Sequence, residues 1–268
     1  MTEYSISDWI EDRSMRGNYF LTLQEAEESF SQLKSPSVST SLSRLVGSKR
    51  LVSPWHGFYV IVPTEYRLKG AIPPPFYIDQ LMHYLSRNYY VSLLSAANIH
   101  GAGHQQPQTF YINVNGRPLR SGIKAGTKLV FSVRQSMIES EIVQVKTQTS
   151  MMRVSSPALT AFDLIIQERE IGGMSRVAEI LAELAENIVF NRQTVLSFPL
   201  RITQRLGYLL DAIEEHPLAD TLYGILTSSK KQIKYALLNP SLTERNDGFP
   251  KDTRWKIIIN QELNLDEI

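Results

Sequence analysis

The sequence contains no cysteine among its 268 residues. This absence excludes a disulfide scaffold, a zinc site with cysteine ligands and a cysteine nucleophile. No apolar run approaches the roughly 20 residues that a helix needs to cross a bilayer. The N-terminus, Met-Thr-Glu-Tyr-Ser-Ile-Ser-Asp, carries acids where a secretory signal carries basic residues. We therefore expect a cytoplasmic protein that does not interact with a membrane.

Signatures of catalysis and of cofactor binding are also missing. The sequence has no G-x-S-x-G motif, and Gly122–Lys128 fails the spacing of a phosphate-binding loop. His100 and His104 lie four residues apart, as a helical pair of metal ligands would. Two intervening glycines oppose a helix, however, and no third ligand is near. We predict that the protein is not an enzyme and that it holds no cofactor and no metal.

Three helices are predicted at the start of the chain. Ser7 is the expected N-cap of a helix that runs to Arg16, and Thr22–Glu25 has the pattern of a capping box. Ser35, followed by proline, is the expected N-cap of a third helix. Its apolar residues Val38, Leu42 and Leu45 recur at helical spacing and predict one buried stripe.

A hairpin is predicted directly after the third helix. Leu51 to Pro63 consists of two β-prone runs around Ser-Pro-Trp-His-Gly, which is typical of a turn. Three helices followed by a hairpin are the order of a winged helix-turn-helix. The sequence thus predicts a DNA-binding domain of this type over residues 1–70.

The charges of this segment change sign along the chain, although the net charge of the whole protein is only +1. Residues 1–33 carry seven acids and two arginines, whereas residues 34–69 carry six basic residues and one acid. A basic face on an otherwise acidic domain attracts phosphate and orients DNA. Two other interpretations fit the same charge distribution: chance clustering on a solvated surface, and a winged helix that binds protein. The residues predicted to contact DNA are Ser37, Ser39, Thr40, Ser43, Arg44, Lys49, Arg50 and His56.

The rest of the chain predicts a mixed α/β or α+β domain over residues 76–268. Its expected parts are a small β-sheet, from β-prone runs such as Thr109–Asn115 and Lys128–Arg134, and a C-terminal helical bundle. Ser175 and Pro217 are expected at the starts of two of these helices, and Arg254–Asn260 is expected to form a last strand.

Several stretches of this larger domain, taken in order, resemble the AbiEi family of antitoxins. They are Tyr89–Gly101, Gln105–Gln108, Val154–Leu164, Gly172–Met174, Gln204–Leu210, Arg254–Lys256 and Asn260. Each stretch is short, but their order covers nearly the whole chain.

The resemblance implies an antitoxin of a type IV toxin–antitoxin system, an abortive-infection defence against phage. It implies a nucleotidyltransferase-like toxin as functional partner, neutralised without a stable complex. It also implies repression of the antitoxin's own operon through inverted repeats in operator DNA. On this basis His100 and Gly101 are structural. The predicted antitoxin surface is Arg117, Arg120, Lys124 and Arg205, although a buried ion pair is an equal interpretation for Arg205.

Two alternatives of other classes remain open. The protein could be a winged-helix transcriptional regulator whose C-terminal domain senses a ligand or a protein partner. It could also be an enzyme that acts on nucleic acid, for which the sequence supplies no nucleophile or metal triad. A nucleotidyltransferase-like reading frame beside this gene would favour the antitoxin.

Overall fold

A computed structural model describes residues 4–67, 71–103, 108–229, 231–242 and 248–265. The chain has a mixed α+β fold, as predicted. It divides into two compact units, and each is taken below by itself. The first comprises Met1–Tyr90, Gln108–Ser136 and Gln144–Arg153, and the second comprises Val91–Pro107, Met137–Val143 and Val154–Ile268. The predicted domains, 1–70 and 76–268, stay a prediction.

The N-terminal part of the first unit contains the predicted helices and hairpin. Its elements are α1 (Ile6–Met15), β1 (Phe20–Thr22), α2 (Leu23–Ser29), α3 (Ser35–Gly47), β2 (Leu51–Trp55) and β3 (Phe58–Ile61). The strands form an antiparallel sheet in the order β1-β3-β2. The helices and the sheet bury a common apolar cluster, to which α3 contributes Val38 and Leu42, both fully buried.

The capping of these helices departs from the sequence prediction at two of three positions. The capping box of α2 is confirmed, since Thr22 accepts from the amide of Glu25. The N-cap of α1 is Ser5 rather than Ser7, and Asp8 completes its capping box. Ser35 is wrong as an N-cap: Lys34 occupies that position, and the Ser35 hydroxyl donates instead to the carboxylate of Glu27.

The hairpin has a bulge, because proline cannot donate to a strand ladder. Pro54 lies inside β2, and the register between β2 and β3 shifts between Val52 and Trp55. The turn itself needs Gly57, whose φ of +74° lies in the left-handed region.

The middle of the chain contains both helices and strands. They are α4 (Thr64–Arg67), a 3₁₀ turn (Pro74–Phe76), α5 (Ile78–Tyr84), β4 (Tyr89–Val91), α6 (Leu93–Ile99), β5 (Thr109–Val114), β6 (Gly122–Lys124), β7 (Thr127–Val133), a 3₁₀ turn (Glu139–Glu141), β8 (Ile142–Lys146) and β9 (Met151–Ser155). The strands form a six-stranded sheet in the order β6-β7-β5-β4-β9-β8. β5 and β7 are parallel, whereas β6 and β7 form an antiparallel hairpin.

The remainder is mostly helical, as predicted. It contains α7 (Pro157–Ile166), α8 (Glu168–Ile171), α9 (Met174–Leu184), a 3₁₀ turn (Ala185–Asn187), α10 (Arg192–Ser197), α11 (Leu200–Ala212), α12 (His216–Ser228), β10 (Ala236–Leu237), β11 (Lys251–Asp252) and β12 (Ile257–Ile258). Ser175 does not cap α9, which begins one residue earlier after the N-cap Gly173. The last strand is shorter than predicted, because only Ile257 and Ile258 pair with neighbours. The bundle arrangement of the helices stays a prediction.

The three short strands near the C-terminus form a sheet in the order β10-β12-β11. Trp255, fully buried, lies just before β12 and donates its indole N–H to Asp211 of α11 at 2.6 Å. Its ring lies against Gly207 of the same helix, where no side chain would fit. This contact joins the small sheet to α11.

Candidate nucleic-acid interface

The outer face of α3 carries small polar side chains around one arginine. Ser37, Thr40, Ser43 and Arg44 are exposed, and Ser39 is half-buried. The opposite face is fixed by the buried Val38 and Leu42, with Leu45 half-buried beside them. Helical periodicity therefore places the apolar residues on one face and the short polar residues on the other. Short side chains allow the helix backbone to come close to the groove of DNA.

Hydroxyl groups on this helix are partly used by its own backbone. The Thr40 hydroxyl donates to the carbonyl of Pro36 at 2.7 Å, and the Ser41 hydroxyl donates to the carbonyl of Ser37 at 3.0 Å. A hydroxyl that donates in this way keeps acceptor lone pairs. Thr40 can thus accept a hydrogen bond from an amino group, such as those of adenine and cytosine in the major groove.

Two cations of this region are unengaged. Arg44 and Lys49 are exposed, and neither has an ion-pair partner among the residues that the structure describes. Arg44 lies in the last turn of α3, and Lys49 follows the helix end. Because no carboxylate of the described residues pairs with them, both cations are available to a phosphate or to a guanine edge.

Lys49 holds an unfavourable backbone conformation. The amide of Arg50 donates to the carbonyl of Leu45, and the amide of Lys49 to that of Val46, both at 3.0 Å. This pattern is a Schellman motif, and Lys49 occupies the left-handed position with a φ of +57°. Glycine would adopt this conformation without the strain that a side chain adds.

We expect Lys49→Gly to separate stability from binding. The substitution should raise the free energy of unfolding by about 0.5–1 kcal/mol, because it relieves the left-handed strain. It should also weaken binding to DNA, because it removes a cation. Denaturant unfolding and an electrophoretic shift measure the two effects. Lys49→Asn is the matched variant, since asparagine also tolerates the left-handed region and also lacks the cation. A loss of stability in both variants would contradict the motif.

Arg50 is not free for DNA in this arrangement. Its guanidinium donates to the hydroxyl of Ser7 and lies 3.6 Å from a carboxylate oxygen of Glu11, both on α1. The side chain is 28% exposed, so that it reaches solvent only in part. Arg50 therefore joins α1 to the end of α3, and it positions the helix rather than offering a free cation.

The tip of the hairpin is held by other parts of the first unit. The Tyr84 hydroxyl donates to the carbonyl of His56 at 3.1 Å, and it would lie 2.6 Å from a Cβ at Gly57. The Trp55 ring meets Phe131 edge-on, with ring centroids 6.2 Å apart. His56 is exposed at the tip, whereas Trp55 is half-buried and Gly57 and Phe58 are buried. No local sequence pattern points to Tyr84 in this role, because the contact spans 28 residues.

The four residues of the predicted antitoxin surface differ in exposure and belong to different units. Arg117 and Arg120 are exposed, and Lys124 is half-buried with its ammonium 4.6 Å from the centre of the Trp55 ring; all three belong to the first unit. Arg205 belongs to the second unit and is only 6% exposed, with its Nε donating to the carbonyl of Leu237 at 2.8 Å.

Arg205 is therefore corrected from a surface residue to an internal one. Burial lowers the pKa of its guanidinium, and the nearby carboxylate of Glu168 opposes that shift. Glu168 is itself 6% exposed. The buried pairing that the sequence left open is the interpretation that this geometry favours.

His100 has a structural contact of its own. Its Nε2 lies 2.7 Å from the carbonyl of Ser155, so that a protonated Nε2 donates across the end of α6 to the end of β9. Gly101, with a φ of +90°, allows the chain to turn directly after it. His104 lies outside the described residues. Within the described ranges, no three His, Asp or Glu side chains are grouped closely enough to ligate one metal ion.

No helix in the described part of the chain combines the length and the apolar character that a membrane crossing requires. The candidate interface is the outer face of α3 together with Lys49. Its exposed residues are Ser37, Thr40, Ser43, Arg44 and Lys49.

Comparison with known proteins adds a fold and a domain. The crystal structure of the RV2827C protein from Mycobacterium tuberculosis is similar to this chain, with a TM-score of 0.68 over 94% of this chain and 90% of the other. The two sequences are 14% identical, so that the similarity concerns the fold alone. No curated protein sequence matches the chain. Residues 90–212 match the family model of the AbiEi antitoxin C-terminal domain, and this segment is thus similar to that domain in the AbiEi antitoxins.

Proposed function

We propose that this protein is an antitoxin that also represses its own operon. The observation that carries the antitoxin half is the match of residues 90–212 to the AbiEi antitoxin C-terminal domain. On this proposal the functional partner is a nucleotidyltransferase-like toxin, neutralised without a stable complex as in type IV systems. The protein acts as a regulator, and no catalytic group is assigned to it.

The DNA-binding half of the proposal is supported by the outer face of α3. In the proposed winged helix-turn-helix, α3 is the recognition helix and enters the major groove. Thr40 and Ser43 are small enough to lie against base edges, and Arg44 can pair with a guanine edge or a phosphate. Lys49 neutralises backbone phosphate at the end of the helix.

The N-terminus of α3 also supports an orientation in which this helix faces DNA. No side-chain hydrogen bond caps this end, because the N-cap is Lys34, whose ammonium has no acceptor. An uncapped N-terminus leaves a backbone donor and the positive end of the helix dipole toward solvent. A phosphate of the DNA backbone can occupy that position.

The acids of α1 and α2 are partly occupied by local partners. Asp8 completes the cap of α1, Glu11 pairs with Arg50, and Glu25 lies 3.9 Å from Arg13. Their remaining field disfavours DNA on that side of the unit, whereas Arg44 and Lys49 favour it on the α3 side. The proposed operator consists of inverted repeats, which pair two copies of the protein with two half-sites.

The proposal predicts that repression and neutralisation can be separated in the full chain. Arg44→Ala combined with Lys49→Ala should lose repression of a reporter placed behind the operon's upstream DNA, because both unengaged cations of the α3 face are removed. The same variant should still restore growth to cells that express the neighbouring toxin gene, because residues 90–212 are unchanged. Colony counts and reporter activity measure the two effects in one strain.

The controls are the wild-type protein and a Lys146→Gln variant, which removes an exposed cation that is not part of α3. Both should retain both activities. If no version restored growth while the wild-type protein still repressed the reporter, the antitoxin role would be wrong. The protein would then be an ordinary transcriptional regulator. Loss of growth rescue together with repression in the double variant would show that neutralisation depends on DNA binding, and the proposed separation would be wrong.

A further inference from the structure

A tyrosine flanked by lysines lies at the surface of the second unit. Tyr235 is 43% exposed and comes directly before β10. The ammonium of Lys256 lies 5.3 Å from the centre of its ring, and that of Lys251 lies 5.8 Å from it. Lys231 and Lys234 are exposed on the segment that leads to the tyrosine. We call Tyr235, Lys231, Lys234, Lys251 and Lys256 the tyrosine–lysine patch.

The backbone under this patch is firmly held. The side-chain amide of Gln204, itself buried, donates to the carbonyls of Lys234 at 2.9 Å, Trp255 at 2.8 Å and Lys256 at 3.2 Å. The amide of Ala236 donates to the carbonyl of Lys256 at 2.9 Å. The segments before β10 and before β12 are therefore fixed to α11 and to each other, and the patch rests on a rigid base.

Lys256 again has a left-handed backbone, with a φ of +54°. This conformation strains any residue that has a Cβ, and here the residue is a cation aimed at an aromatic ring. A single ammonium at an exposed ring contributes little to stability, and a second one repels the first. Packing alone thus gives no reason for two lysines at one ring.

The positive charge of the patch is not neutralised. In the described ranges, none of its four lysines lies within ion-pair distance of a carboxylate. The neighbouring Arg254 differs, because its guanidinium pairs with Asp211 and Asp220. The carboxylate of Asp252 accepts from the amide of Trp255 at 2.6 Å.

We propose that the tyrosine–lysine patch binds single-stranded nucleic acid. Proteins that hold single strands combine aromatic rings, on which bases stack, with cations that follow the phosphates. Tyr235 supplies the ring, Lys251 and Lys256 place cations beside it, and Lys231 and Lys234 add charge to the segment that precedes it. A duplex offers its phosphates to such a patch but hides the faces of its bases, so that an exposed ring favours an unpaired strand. The patch lies outside residues 90–212 and away from α3 in sequence, and it does not depend on the function proposed above.

The test uses the full chain and two fluorescent probes, a 12-nucleotide oligouridylate and a 12-nucleotide oligodeoxythymidylate. All variants carry Arg44→Ala and Lys49→Ala, so that the α3 face does not contribute to binding. Tyr235→Ala should weaken binding of a single strand about tenfold, because stacking of one base is lost. Tyr235→Phe should bind as tightly as the parent, because phenylalanine keeps the ring.

Lysine variants test the electrostatic half of the patch. Lys251→Gln with Lys256→Gln should lower the slope of log affinity against log salt by about 1.4, since each phosphate contact to a single strand contributes about 0.7. Lys146→Gln, an exposed lysine outside the patch, is the matched control and should change neither affinity nor slope beyond that of the parent. Circular dichroism melts verify that each variant is folded.

Tighter binding of the ribose strand would support RNA as the ligand, and equal binding would support any single strand. Three results would overturn the proposal. One is equal affinity of folded Tyr235→Ala and its parent, and another is equal competition by an unlabelled duplex. The third is equal competition by polyglutamate, which would make the patch a general site for polyanions or for an acidic protein segment.

Discussion

Replacing Gly207 by alanine should lower the stability of the second unit by about 3 kcal/mol, the upper part of the range for overpacking a core. A Cβ at this position would lie 2.5 Å from Cε3 of Trp255 and closer still to Cζ3 and Cη2. The indole cannot move aside, because its N–H is bound to Asp211 at 2.6 Å and its ring meets Tyr223 edge-on. Thermal unfolding should show the loss as a decrease in Tm of about 6–12 °C.

Gly224→Ala is the matched control for that substitution. Gly224 lies in α12, and a Cβ there would meet no atom within 4 Å. Alanine should therefore stabilise the protein by about 0.5–1 kcal/mol, because glycine is the weaker helix former. A Gly207→Ala protein as stable as the wild type, with unchanged tryptophan fluorescence, would contradict the packing of Trp255 on α11.

The second large effect is expected in DNA binding. Arg44→Ala combined with Lys49→Ala should weaken affinity for the operon's upstream DNA at least tenfold, because an arginine that reads a base edge is worth about 1–3 kcal/mol alone. If Lys49 contacts a phosphate, the slope of log affinity against log salt should also decrease by about 1. Electrophoretic shifts at three salt concentrations measure both quantities.

Arg50→Met distinguishes the bound cation from the two unengaged ones. Arg50 already contacts Ser7 and Glu11. Its removal should therefore lower the stability of the first unit and change the salt dependence of DNA binding little. If Arg44 and Lys49 were dispensable for DNA binding while Arg50 controlled the salt slope, the outer face of α3 would not be the interface.

Local patterns predicted much of the N-terminal part of the fold. The capping box at Thr22 and Glu25, the buried Val38 and Leu42, and the hairpin around Gly57 all depend on residues close in sequence. The prediction of Ser35 as an N-cap was wrong because its hydroxyl finds Glu27 on another helix. Competition between a local cap and a distant partner has no sequence signal.

Contacts between residues far apart in the chain could not be predicted from local sequence patterns. The parallel pairing of β5 and β7, which are separated by β6, follows from the sheet order and not from any periodicity. Arg205 reads as a surface cation until Leu237 supplies a buried carbonyl 32 residues away. The tyrosine–lysine patch was missed because Lys251 and Lys256 reach Tyr235 through two-residue strands, which are too short for a pattern.

The most direct test of DNA binding through α3 uses the absence of cysteine from the chain. A single cysteine at Ser43, which is exposed, can carry an iron–EDTA group that cleaves nearby DNA, and a cysteine at the exposed Ser140 of the second unit is the control. We expect the group at position 43 to cut the upstream DNA at one short, fixed position in each half of the proposed inverted repeat. The wild-type protein, which carries no label, should cut nowhere. Uniform cleavage, or the same weak cleavage from positions 43 and 140, would contradict recognition of DNA by this helix.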